Sequence, residues 1–250
     1  MAGARTFVMG DIHGCVEELD RLLDALAPTA DDTVVCLGDY IDRGPSSKGV
    51  IDRLLRLQTE GPHCVYLKGN HEDMFLAFLG EPGNYGEAFL YNGGAATLQS
   101  YGLQGEMGTL SVAQLPAAHV EFLRALRLRY EHGDFLCVHA GIDPQRPLDA
   151  QREEDLLWIR EPFILHRHPF LRTILYGHTP QRDVRLDLPY KIGLDTGLVY
   201  WNNLSCLELE TKELFQIGRG AHSVVRRNLG AAFAHPHTSA AHRPEPSPDR

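Results

Sequence analysis

The sequence predicts an α/β fold in which two mixed β-sheets pack as a sandwich flanked by helices. Three observations carry that expectation. The first third repeats a unit of short β-rich run, Gly-containing polar turn and helix-like segment. A later portion sets several β-rich runs in succession with no long helix between them. The chain has 250 residues, 43% hydrophobic and 23% charged, which suits one large domain with a sizeable core.

The elements follow in order. Thr6 to Met9 is β-like and leads through the turn GDIHG into an amphipathic stretch from about Val16 to Leu26. Val34 to Leu37 leads into GDYIDRG, where Ser46 or Ser47 can cap a helix reaching about Leu57. Val65 to Leu67 leads into GNHE and a third helix-like stretch with Phe75 and Phe78. Such units imply a largely parallel sheet whose loops gather at the carboxyl ends of the strands, the edge where ligands bind in open α/β sheets. Residues from about 81 to 132, with helix-like segments Glu87 to Tyr101 and His119 to Tyr130, read as a helical cap beside the cleft.

The runs Phe135–Val138, Thr173–Tyr176, Lys191–Leu194, Val199–Leu209 and Glu213–Ile217 suggest a second sheet packed on the first. From about Arg219 the composition turns to Pro, Ala and His with little periodicity. A catalytic domain over 1–217 and a disordered tail over 218–250 are therefore expected.

Bulk chemistry narrows the function. A formal net charge of −9 argues against a nucleic-acid partner held on a broad basic face. Phosphate substrates stay open, because bound cations reverse the field inside one cleft. No window approaches the ~20 apolar residues that cross a bilayer, and no signal-like stretch precedes Thr6, so no membrane partner is expected. The cysteines (Cys15, Cys36, Cys64, Cys137, Cys206) are odd in number and form no Cys-x-x-Cys pair. They read as reduced core residues of a cytoplasmic protein. No feature sets an oligomeric state.

Five short motifs stand at strand ends: GDIHG at 10–14, GDYIDRG at 38–44, GNHE at 69–72, VHAG at 138–141 and GHTP at 177–180. A single one is no more than a turn, and a histidine after an apolar run is usually a core residue. Together they put Asp11, His13, Asp39, Asn70, His139 and His178 where they can converge on one edge of a sandwich. Oxygen and nitrogen donors without cysteine suit Mn²⁺, with iron or zinc as alternatives. Two such ions bridged by one carboxylate clamp a phosphorus centre, and Asp39, lying between two ligand groups, is the candidate bridge.

The order GDxHG, GDxxDRG, GNHE and two later histidines resembles the calcineurin-like metallophosphoesterases over roughly residues 5 to 217. The DRG and GNHE forms look like the phosphoprotein phosphatase branch, with its bacterial and phage lambda-type serine/threonine phosphatases. The resemblance implies two divalent metals, most simply Mn²⁺. Asp11, His13 and Asp39 would hold one, and Asp39, Asn70, His139 and His178 the other. It implies a bridging hydroxide as nucleophile, His71 as general acid oriented by Asp42, and Arg43 and Arg160 binding phosphoryl oxygens. Lys68 stands before GNHE, where close relatives often carry arginine, and the SAPNYC-type segment of eukaryotic phosphatases is absent.

The expected activity is removal of phosphate from phosphoserine or phosphothreonine in proteins, or from a small phosphoester. The alternative is hydrolysis of a dinucleoside polyphosphate such as diadenosine tetraphosphate. That sister branch typically replaces the aspartate of DRG, and Asp42 is present here. A metal-binding scaffold without activity is a third reading, opposed by the retention of all six candidate ligands together with His71 and Asp42.

Overall fold

The computed structural model describes residues 3–234. Its strands are β1 (Thr6–Met9), β2 (Thr33–Cys36), β3 (His63–Tyr66), β4 (Arg129–His132), β5 (Phe135–Val138), β6 (Thr173–Tyr176), β7 (Arg185–Asp187), β8 (Lys191–Gly193), β9 (Asn203–Glu208), β10 (Glu213–Gly218) and β11 (Val225–Asn228). Its α-helices are α1 (Val16–Leu26), α2 (Ser47–Glu60), α3 (Asn70–Phe78), α4 (Ala95–Ser100), α5 (Ala117–Arg124), α6 (Glu153–Trp158), α7 (Glu161–Leu165) and α8 (Gly230–Ala234). One sheet runs β11-β10-β9-β1-β2-β3 and the other β4-β5-β6-β8-β7, so both are mixed. No helix among the described residues is long and apolar enough to cross a membrane.

Period-two alternation sorts the strand side chains between cores. Phe7 and Met9 of β1, Val34 and Cys36 of β2 and Tyr66 of β3 point outward into a cluster with Leu19, Leu22 and Leu26 of α1 and Val50, Ile51, Leu54 and Leu57 of α2. Val8, Val35 and Val65, on the opposite face, meet Cys137, Leu175 and Ile192 of the second sheet. Leu136, Val138, Ile174 and Tyr176 close a third cluster with Leu156 of α6 and Phe163 of α7. The order of layers is helix, sheet, sheet, helix. Each large apolar side chain buried in it contributes about 1.5–3 kcal/mol relative to exposure. The five cysteines are unpaired, and all but the half-buried Cys64 lie inside.

Three expectations are corrected. First, β9 and β10 join the first sheet rather than the second, with β9 antiparallel to β1. The reason is that β9 is apolar on both faces. Leu204 and Cys206 feed the helix-side core while Leu207 feeds the core between the sheets, so β9 fits a central place. Second, the expected helix from His119 stops at Arg124, and Arg129–His132 instead forms a hairpin with β5 around Gly133, whose φ is 54°. Third, the domain runs past 217. The strand β11 pairs with β10 and α8 follows it. An exposed edge strand held by ladder hydrogen bonds leaves no apolar pattern to read. The remainder of the expected tail, 235–250, lies outside the described residues.

Candidate metal centre

Strands β1, β2 and β3 are mutually parallel, as are β5, β6 and β8. Their carboxyl ends deliver the candidate side chains. Asp11 and His13 follow β1, Asp39 follows β2, Asn70 opens α3 after β3, His139 follows β5 and His178 follows β6. All six are buried. The turns that aim them are strained: His13, Asp39 and His178 have φ of 46°, 52° and 64°. Each such non-glycine residue costs on the order of 1–3 kcal/mol and persists only where its surroundings hold it. Gly177 leaves the room His178 needs, since a Cβ there would lie 2.1 Å from Asp11 Oδ1.

Asp39 is common to two groups of donor atoms. Those of His13, Asp39 and His71 lie within 4.8 Å of one another, and so do those of Asp39, His139 and His178. The imidazoles are oriented from behind. His13 Nδ1 donates to the Ile41 carbonyl at 2.7 Å and His139 Nδ1 to the Leu37 carbonyl at 2.9 Å, which turns each Nε2 lone pair inward. Asn70 Oδ1 lies 3.0 Å from His139 Nε2 and 2.9 Å from His178 Nδ1. His178 Nε2 is buried and has no hydrogen-bond partner among the described residues. Acceptor atoms facing one another, with an orphaned imidazole nitrogen beside them, are a donor set that fits a divalent cation.

Asp11 enters differently. Its carboxylate accepts the His178 backbone N–H at 3.2 and 3.0 Å and belongs to neither group of three. His71 stands in the first group, in the place the sequence resemblance gives to Asp11. Only one of its nitrogens is available, because Nδ1 donates to Asp42 Oδ2 at 2.6 Å.

Arg43 Nη1 donates to His13 Nε2 at 2.6 Å, engaging the lone pair a metal would use, and its guanidinium lies 5.6 Å from the Tyr200 ring centroid. Arg160 is exposed at the rim, where Nη1 reaches Thr179 Oγ1 at 3.5 Å, next to His178. Lys68 is engaged in two ion pairs. Its ammonium binds Asp73 at 3.2 Å and Glu153 at 2.9 Å, tying α3 to α6.

Burial dominates the electrostatics. It works against the Asp39 charge, but the surrounding histidines, His139 foremost, outweigh it and hold the carboxyl well below the usual range. Burial pushes His13, His139 and His178 down, which favours the neutral form that metal ligation requires. His71 goes the other way. Burial lowers it, yet the Asp39 and Asp42 carboxylates raise it further, and it is the one histidine of the centre that keeps a proton readily. Burial, then Asp195 and Asp39, push Asp11 up.

Three residues here carry no role in the sequence reading. Glu72 Oε1 accepts the N–H of Tyr40 at 2.8 Å and of Ile41 at 3.3 Å, and Oε2 accepts those of Asp39 at 3.0 Å and Gly69 at 2.9 Å. The residue is visible in GNHE, but nothing local says that it organises the neighbouring loop. Asp195 lies buried against Asp11, its carboxyl pushed up to about 6 by burial, and it accepts the Gly197 N–H at 2.9 Å. Thr97, from the middle segment, donates to Asp42 Oδ1 at 2.5 Å.

Residues 4–213 match the calcineurin-like phosphoesterase family. The chain is 30% identical over 213 residues to the serine/threonine-protein phosphatase 1 of Salmonella typhimurium, covering 82% of this chain and 91% of that protein. It is 26% identical over 243 residues to the asymmetrical bis(5'-nucleosyl)-tetraphosphatase of Oceanobacillus iheyensis, covering 84% of this chain and 90% of that one. Its fold is similar to that of the cold-active protein-tyrosine phosphatase of a psychrophilic Shewanella species, with a TM-score of 0.58 and 17% identity over 90% of this chain and 82% of the other.

Proposed function

The chain belongs to the calcineurin-like phosphoesterase family, and from that premise we propose that it is a metal-dependent phosphomonoesterase acting on phosphoserine and phosphothreonine in proteins. The observation that carries the reading is the buried His71–Asp42 pair, 2.6 Å apart beside the shared Asp39. A serine or threonine alkoxide is a poor leaving group, nearly as basic as the conjugate base of water (pKa about 15.7), and must be protonated as it departs. Cleaving a nucleoside polyphosphate expels a phosphate, whose last pKa is about 6, and needs no such acid. A positioned, readily protonated imidazole therefore favours the monoester.

Asp11, His13 and Asp39 would hold one divalent ion, and Asp39, Asn70, His139 and His178 the second, with Mn²⁺ the ion proposed. Bound there, the pair supplies an activated water and a clamp for the phosphoryl oxygens. Asp42 fixes the His71 ring through Nδ1, so that Nε2 delivers the proton to the leaving oxygen. Arg43 and Arg160 bind the remaining phosphoryl oxygens in the fork geometry of guanidinium. Unpaired cysteines fit work in the reducing cytoplasm.

Hydrolysis of a dinucleoside tetraphosphate is the second reading, favoured by the Oceanobacillus relative matched over 90% of its length. The test supplies Mn²⁺ and compares phosphate release from a phosphothreonyl peptide with nucleotide release from diadenosine tetraphosphate. Preference for the peptide is expected, and preference for the dinucleotide would overturn the substrate assignment. In parallel, His71→Asn should keep its metals and lose about 10²–10⁴-fold in turnover of the peptide, but far less on an aryl phosphate. Equal losses on both would remove the general-acid role.

A further inference from the structure

Residues 81–132 hold no chemical motif, yet one stretch of them reaches the most strained part of the motif at 38–44. Asp42 and Arg43 are consecutive and both left-handed, with φ of 70° and 67°. Such a pair persists only when its surroundings over-determine it. The Gly93 carbonyl accepts the Arg43 N–H at 3.1 Å. Thr97 Oγ1 accepts the Asp42 N–H at 2.9 Å, with Ser47 Oγ a second acceptor at 3.0 Å. The two hydroxyls are 2.8 Å apart.

Proton counting gives the network a direction. Thr97 has one proton, and Asp42 Oδ1, 2.5 Å away, is an acceptor only. The Thr97 proton therefore goes to Asp42, and Ser47 points its own at Thr97. Each Asp42 oxygen then has one side-chain donor, Thr97 on Oδ1 and His71 on Oδ2. Ser47, Thr97 and Asp42 are wholly buried, so no bulk water substitutes for a lost partner.

We propose that Thr97 is a positioning residue for phosphoester cleavage: its hydroxyl fixes the plane of the Asp42 carboxylate and thereby the direction in which His71 presents Nε2 to the leaving group. This rests on the reading of His71 as general acid. Thr97 acts through Asp42 and touches no substrate. Its effect should therefore follow the need for a proton, not the overall rate.

The test uses the full chain with Mn²⁺ and measures kcat and KM on a phosphothreonyl peptide and on p-nitrophenyl phosphate. Thr97→Val removes the hydroxyl at nearly constant shape. It should lower kcat for the peptide ~10–100-fold at unchanged KM and change the aryl phosphate less than ~3-fold. Thr97→Ser retains the donor and should stay within ~3-fold of the parent on both substrates. If Thr97→Val does not fold, Thr97→Cys makes the same comparison, because a buried thiol is a small hydrophobe and a weak donor. Equal losses on both substrates would reduce Thr97 to packing and overturn the proposal. His71→Asn, run alongside, separates the two levels. If it too fails to discriminate between substrates, the general-acid reading falls. If it discriminates and the Thr97 variants do not, only the role of Thr97 falls.

Discussion

Replacing Glu72 by glutamine changes one buried oxygen to an amide nitrogen and tests what organises the Asp39 loop. The carboxylate accepts four backbone N–H groups, two at each oxygen, from residues 39, 40, 41 and 69. Glutamine keeps one acceptor oxygen and sets an NH₂ donor against the other two N–H groups. Leaving a buried donor unpaired costs about 1–3 kcal/mol, so the loss should be about 2–6 kcal/mol. For a domain of this size each kcal/mol moves the melting temperature by roughly 2–4 °C, which puts the expected drop near 10 °C. Thermal unfolding followed by circular dichroism measures it, with the exposed Glu121→Gln as control, expected to stay within about 0.5 kcal/mol. The affinity for Mn²⁺ should fall as well, because Asp39 and Asn70 ride on the two segments that Glu72 holds. A melting temperature within about 2 °C of the parent would refute the accounting, since no network of four buried bonds could then be at stake.

Two further outcomes follow from the same style of accounting. Gly69→Ala places a Cβ 2.1 Å from Asp39 Oδ1 and 2.4 Å from the Asp39 backbone nitrogen. With backbone as the obstacle the loss should be about 3 kcal/mol or more. At Gly80 nothing lies within 4 Å of the added carbon, so alanine there should cost only the left-handed φ, about 1–2 kcal/mol; equal urea-melt losses at the two sites would contradict the steric account. Asp32 is pushed up by burial, but hydrogen bonds from Arg5 and Thr29 outweigh that and hold its carboxyl well below the usual range. Because its folded value is depressed, its contribution is complete above the unfolded value and is lost as pH falls through the folded one. Asp32→Asn should therefore cost about 2–4 kcal/mol at neutral pH, with the gap narrowing by about 1 kcal/mol at about pH 3. A gap independent of pH in urea melts would sink that assignment.

The chemistry of the centre is legible in the sequence because it is local. Each ligand candidate sits one to four residues beyond a β-rich run, with a glycine no more than two residues away, and the parallel arrangement brings those ends together. What is not legible depends on partners far along the chain. Whether β9 belongs to one sheet or the other is decided by the open edge of β1 and by apolar residues on both its faces. Thr97 is unremarkable until α4 is seen against Asp42, 55 residues away. Lys68, standing where close relatives often carry arginine, takes its meaning from Glu153. The hairpin of β4 and β5 is a different case. Gly133-Asp134 between two short runs is a recognisable two-residue turn, but it follows directly on a stretch whose spacing is helix-like.

The placement of β9 beside β1 also bears on how the chain is made. Phe7 pairs with Glu208 and Met9 with Cys206, so β1 obtains its second neighbour only from a strand made far later than β2. Until then β1 has only β2 and β3 on one side, and its other edge offers unpaired N–H and C=O groups to any passing strand. At synthesis rates of about 5–20 residues per second, that interval lasts roughly 10–40 s. Within the same interval His139 and His178 become available to Asp39, before β9 is made. The first sheet is therefore closed only by β9, after every side chain of the candidate metal centre has already been made.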